Sequence, residues 1–188
     1  ASFDGDGKLS TDFIISPAGA IVSSVTPQTD GKILVGGSNS DHFIIARYNT
    51  DGSADTGFDG DGKLTTIFSN NQAPTWDYPA VSNAIAVQAD GKIIVVGNAG
   101  VDGFAVARYN YDGSPDNSFD GDGKLITDIG PSRDAAYTQA VQADGKILVA
   151  GVSFNETHYD FAMIRYNADG SLDNSFDADG KLTTNAGF

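Results

Sequence analysis

Between its glycine and aspartate punctuation the chain alternates apolar residues with small or polar ones at the period of β-strands. The middle of the sequence is the clearest case. Lys63 to Phe68, Asn83 to Gln88, Lys92 to Gly97 and Phe104 to Asn110 each carry Val, Ile, Leu, Phe or Tyr in this rhythm. Asp90-Gly91 separates the second and third of these runs, a pair suited to a hairpin turn because such a turn needs positive φ. The pattern predicts four consecutive antiparallel strands.

The same four-strand unit recurs. Ser2 to Leu9 (Ser-Phe-Asp-Gly-Asp-Gly-Lys-Leu) returns at Gly57 to Leu64, Ser118 to Leu125 and Ser175 to Leu182. Asp30 to Gly37 returns at Asp90 to Gly97 and Asp144 to Gly151, and Ala46 to Ser53 returns at Ala107 to Ser114 and Ile164 to Ser171. Three full repeats of 55, 61 and 57 residues follow, at approximately 3–57, 58–118 and 119–175, with a partial fourth at 176–188. Thirteen strand-like segments are expected, twelve from the repeats and one from the extra copy. The fold class is therefore all-β, built of antiparallel four-stranded blades as a β-propeller or an open propeller-like array. The repeat is somewhat longer than the roughly 40–50 residues of common blade families.

Spacing divides the array into two ends. From the arginine of one signature to the lysine of the next the count is sixteen each time, Arg47 to Lys63, Arg108 to Lys124 and Arg165 to Lys181, whereas Lys8 to Lys32, Lys63 to Lys92 and Lys124 to Lys146 span 24, 29 and 22. Successive connections of a meander alternate between its ends, so the constant turns share one end and the variable loops the other. Binding specificity is expected in the loops that vary.

Composition sharpens this picture. Twenty-five acids, all but Glu156 aspartate, against eleven bases leave a formal net charge of −14. Fourteen Asp-Gly dipeptides account for much of the aspartate and glycine excess, and both residues favour turns over helices. A field of this sign repels phosphate, so nucleic acid is not an expected partner. No apolar run approaches membrane-spanning length, and without cysteine there is no disulfide framework or thiolate site. The start carries no initiator Met or signal-like segment and reads as excerpted.

Asp144 to Gly151, Asp160 to Phe176 and the Asp-Gly-Lys-Leu that follows resemble the delta-60 repeat, a family also described as a domain of unknown function with a β-propeller fold in large bacterial secreted or surface proteins. The resemblance spans nearly the whole chain. It implies the fold and an extracellular or cell-surface setting, and it brings no reaction or active-site residues. The acidic Phe-Asp-Gly-Asp-Gly departs from the less acidic turn of many members, so a metal role there would not extend to the family.

That acidic turn is the candidate metal site. Ser118, Asp120 and Asp122 place oxygens at positions 1, 3 and 5, with Gly123 at 6, like the opening of a calcium loop; Asp59 and Asp61 repeat the pattern one blade earlier. The position of the bidentate glutamate holds Phe13, Phe68, Ile129 or Ala186, so half a site is present. The alternative is a turn that needs no ion, and calcium is the one cofactor in question. Arg47, Arg108 and Arg165 read as forks pairing with turn aspartates rather than as a ring of ligand-binding guanidiniums. Phe3, Phe58, Phe119 and Phe176 read as plugs between blades.

At the variable end, Trp76, Asp77 and Tyr78 lie in the longest loop, an aromatic pair beside a carboxylate that suits a sugar ring. Arg133 and Tyr137 occupy one loop of the third repeat, and Glu156, His158 and Tyr159 the other. His42 and His158 sit in different repeats, and no nucleophile–base pattern accompanies them, so no catalysis is expected. Three blades left open would expose apolar faces. This predicts self-association into a ring of about six blades or a head-to-tail fibre, or membership of a longer array. The expected function is a non-enzymatic extracellular structural or adhesion module meeting a protein partner. The alternative is a carbohydrate-binding, lectin-like propeller using calcium.

Overall fold

The computed structural model describes residues 3–13, 19–39, 42–68, 80–100 and 103–185. Among these residues there are twelve strands and no helix. They are β1 (Ile21–Pro27), β2 (Ile33–Asn39), β3 (His42–Tyr48), β4 (Lys63–Ile67), β5 (Val81–Val87), β6 (Ile93–Asn98), β7 (Phe104–Tyr109), β8 (Lys124–Thr127), β9 (Ser132–Val141), β10 (Ile147–Phe154), β11 (Tyr159–Tyr166) and β12 (Lys181–Thr184). Three antiparallel meanders result, β1-β2-β3-β4, β5-β6-β7-β8 and β9-β10-β11-β12, each one blade.

The blade is offset by one strand from the sequence repeat. Lys63–Ile67 pairs back onto the arginine strand before it, Ala46 with Lys63 through His42 with Ile67, and closes that blade instead of opening the next. The constant connection enforces this, because its backbone folds on itself. Asp55 N donates to Arg47 O at 2.9 Å, Gly62 N to Phe58 O at 2.8 Å and Arg47 N to Gly62 O at 2.9 Å. The first copy, within residues 3–13, pairs with no described arginine strand and forms no strand. Twelve of the thirteen expected strands therefore appear among the described residues.

Each blade's hairpin turn is the Asp-Gly pair, with Gly31, Gly91 and Gly145 at φ 86°, 85° and 83°. Only the glycine takes the left-handed conformation; the aspartate side chain accepts the amide two residues on, as Asp30 does from Lys32 at 3.1 Å.

The core lies between blades. Successive strand residues face opposite sides of a sheet. The middle blade is covered on both sides, and Ile93, Ile94, Val95 and Val96 are all fully buried. Leu34, Phe43, Ile45 and Leu64 of the first blade pack on Ile85, Ile93, Val95 and Tyr109 of the second. Val96, Phe104, Val106 and Leu125 on its other face pack on Ile147, Val149, Ala162 and Ile164 of the third.

Candidate functional site

At the constant end an arginine fastens each blade. Arg47, Arg108 and Arg165 donate through Nε to Asp55, Asp116 and Asp173 at 2.6, 2.7 and 2.6 Å. Lys32, Lys92 and Lys146 bring a second cation to the same carboxylate oxygen at 2.8, 2.7 and 2.9 Å. Each guanidinium lies over the plug phenylalanine, 4.7 Å from the Phe58 ring, 4.6 Å from Phe119 and 4.7 Å from Phe176. Where a blade follows, the guanidinium also crosses the seam, Arg47 to the Tyr111 carbonyl and Arg108 to the Ala168 carbonyl. Burial alone would raise the carboxyl of Asp116, but hydrogen bonds from Lys92 and Ser118 and the charge of Arg108 hold it well below the ordinary carboxylate range. These donors are committed to structure, as the spacing of the arginines implies.

The candidate metal ligands occupy the adjoining turn. Asp61 and Asp122 accept the amides of Lys63 and Lys124 at 2.9 and 3.0 Å. The Ser118 hydroxyl donates to Asp116 at 2.7 Å and accepts from Arg108 at 3.1 Å. Asp59 and Asp120 sit at the seams at φ 49° and 50°. Burial, then the carboxylates of Asp61 and Asp112, push Asp59 up; burial, then Asp122 and Asp169, do the same for Asp120. Among the described residues no group of three or more His, Cys, Asp or Glu side chains is arranged to hold a metal ion.

At the variable end, Trp76, Asp77 and Tyr78 lie outside the described residues. Arg133 and Tyr137, expected in a loop, lie instead on β9, and Tyr159 opens β11, because the chain pairs with β10 from Ser132 onward; the three come together, lining a groove of about 390 Å³ with Asn98, Asp134 and Val152. The Arg133 guanidinium lies 5.9 Å from the Phe154 ring, which in turn meets Tyr159 at 5.0 Å, so Phe154 bridges these two lining residues. Glu156 (φ 76°) and His158 belong instead to the turn between β10 and β11. Asn155 ties that turn together, accepting the amides of Thr157 and His158 at 3.1 and 3.0 Å, while the His158 imidazole lies 2.9 Å from the Thr157 hydroxyl and 3.1 Å from Asp160. Asp134, buried beneath the groove, accepts the amide of Ile129 at 2.7 Å. Burial raises its pKa despite that bond.

A third feature is an exposed blade face. Phe43, Phe104 and Phe161 hold the same place in successive blades; the first two are fully buried, yet Phe161 is 69% exposed because no described blade covers it. Around it Tyr137, Val152, Met163 and Leu182 line an apolar groove of about 410 Å³. At the opposite end, Val22 and Val25 of the first blade are 65% and 64% exposed, and beside them Ile33, Val35 and Ile44 line a groove of about 460 Å³. The three-blade count predicts open faces, and of these residues the sequence singles out Tyr137 alone as a candidate, for ligand binding. The signal was the alignment of the three phenylalanines, of which the last has no described blade to cover it.

Comparison with known protein families gives one result. The family model described as "Domain of unknown function (DUF5122) beta-propeller" matches residues 28–58, 88–119 and 142–176, one match per blade. No curated protein matches the chain.

Proposed function

Since the chain belongs to this family of β-propeller domains of unknown function, we propose that it is a non-enzymatic structural module of the cell exterior that packs end to end with copies of itself and offers its variable-loop end to a protein partner. The observation that carries the reading is Phe161, 69% exposed at the position where Phe43 and Phe104 are sealed by the next blade. Val22 and Val25 expose the complementary side of the same kind of interface at the other end. Contiguous exposed apolar faces of this kind mark interaction sites. At the variable end the His158 imidazole lies against the Thr157 hydroxyl and Asp160, and Asp134 accepts the Ile129 amide, engagements that support a structural role over a catalytic one.

Analytical ultracentrifugation tests this. Wild type associates with rising concentration, and association strengthens with salt, because screening relieves the repulsion between chains each carrying −14. Phe161→Asp places a carboxylate in the contact and weakens association at least about tenfold, equivalent to about 1.4 kcal/mol. Its thermal unfolding stays close to wild type because the side chain is already in water. A wild type that remains monomeric at high concentration and high salt sinks the reading.

One observation favours a second reading, carbohydrate binding. Tyr137 and Tyr159 are both exposed beside Arg133 on one groove, and aromatic faces with a charged donor suit a sugar ring and its hydroxyls. A glycan array, run with calcium and again with EDTA because the acidic turns are the candidate calcium ligands, gives binding that Tyr159→Ala and Trp76→Ala abolish if the reading holds. Silence of the wild type in both conditions eliminates it.

A further inference from the structure

Among the described residues four copies of the Phe-Asp turn accompany three blades, and three of the copies are received by one. Where a blade follows, the seam is made by three repeated bonds. The aspartate amide of the turn donates to a carbonyl of the next blade, Asp59 to Asp112 and Asp120 to Asp169, each at 2.8 Å. A threonine further along meets the next blade's tyrosine, Thr66 with Tyr109 and Thr127 with Tyr166. The next blade's lysine reaches back to a carbonyl, Lys124 to Ile67 at 3.1 Å and Lys181 to Asp128 at 2.7 Å.

Residues 3–13 make the same three bonds to the first blade. Asp4 N donates to Asp51 O at 2.6 Å, Thr11 Oγ1 lies 2.6 Å from Tyr48 OH, and Lys63 Nζ donates to Asp12 O at 2.9 Å. The turn conformation is the same, with Asp4, Asp59 and Asp120 at φ 46°, 49° and 50°. This segment thus occupies the receiving edge of blade one as the outer strand of a preceding blade would, yet it joins no sheet, and Leu9 is 38% exposed. The fourth copy has Asp177 at φ 47° and is integral to blade three through β12. No blade among the described residues receives it.

We infer that the seat on blade one is the docking seat for residues 176–185 of a second copy, and that residues 3–13 are a displaceable occupant which self-association evicts. The inference rests on the end-to-end reading above and goes beyond it by naming a competitor. Two turns of identical conformation that use the same Asp51 carbonyl, Tyr48 hydroxyl and Lys63 ammonium cannot be seated together. The incoming turn is backed by the whole apolar face around Phe161, which covers Val22 and Val25; the resident segment brings only its own Phe3, Leu9 and Phe13.

Hydrogen exchange followed by mass spectrometry, on dilute and concentrated protein, reads the exchange of partners directly. As association proceeds, the peptide containing Asp4 loses protection while the peptide containing Asp177 gains it. Gain of protection in both, or no change in the first, overturns the inference. Asp4→Pro provides an independent arm: proline has no N–H for Asp51 and cannot adopt φ 46°, so the resident turn is unseated without touching a strand. The variant associates at least tenfold more tightly than wild type, with its unfolding transition little changed. Association that Phe161→Asp weakens but Asp4→Pro leaves unchanged refutes the competitor alone; absence of association in both wild type and Asp4→Pro refutes it together with the end-to-end reading.

Discussion

Gly97→Ala is expected to destabilise the protein by about 3 kcal/mol or more, lowering the thermal midpoint by roughly 6–12 °C for a domain of this size, as read by calorimetry or circular dichroism. The cause is close approach rather than backbone freedom. A Cβ at Gly97 would lie 1.8 Å from the Val81 carbonyl oxygen and 2.9 Å from the Phe43 ring. The neighbouring strand carries a bulge between Ser82 and Ala84 at that point, which presses its backbone onto β6. Gly37 and Gly151 stand at the same bulge in the other blades, 2.0 and 1.9 Å from the Ile21 and Ala135 carbonyls by the same construction. A carbonyl within a paired strand cannot step aside as a flexible side chain can. Gly60→Ala is the control. Its added methyl meets nothing within 4 Å, so only the strain of a left-handed alanine remains, about 1–2 kcal/mol. Equal losses at the two sites would show that the bulge contact is not the determinant.

Asp116→Asn is expected to cost about 3 kcal/mol or more at neutral pH, because it leaves Arg108 charged and buried without its carboxylate; the two side chains are 4% and 6% exposed. The pH dependence identifies the cause. The folded-state pKa of Asp116 is depressed, so its contribution is fully present above the unfolded value near 4 and is lost as pH falls through the folded value. The gap in stability between wild type and Asp116→Asn therefore stays level from neutral pH down to about 4 and narrows below it. Asp59 and Asp120 act in the opposite sense. Their raised pKa values make their contribution largest in acid, and it is lost as pH rises through those values. These two are unchanged in the variant, so their effect cancels from the difference. A gap that persists undiminished through the acid limb would assign the loss to packing instead of charge.

The legible features in the sequence were those made by neighbours along the chain. Alternation predicted the strands, Asp-Gly predicted hairpin turns closed at Gly31, Gly91 and Gly145, and the constant sixteen-residue interval pointed to an arginine held by a turn aspartate, eight residues on in Asp55, Asp116 and Asp173. The lysine sharing each carboxylate was not anticipated, since Lys92 and Asp116 lie on different connections and meet only when the meander closes. Of the residues expected in variable loops, Arg133, Tyr137 and Tyr159 lie on strands β9 and β11 and share a groove, whereas Glu156 and His158 are drawn into a turn by Asn155, whose side chain bonds to amides two and three residues on.

By itself the sequence determined the all-β class, the four-strand unit, its threefold recurrence and the division into a constant and a variable end, because strand alternation and turn chemistry act over a few residues. Tertiary structure alone decided which strand closes which blade, where glycine is obligatory and which phenylalanine is left in water. Phe43, Phe104 and Phe161 are the same residue at the same repeat position. They differ in exposure because burial is conferred by a neighbouring sheet some sixty residues away in sequence, and among the described residues two of the three have one.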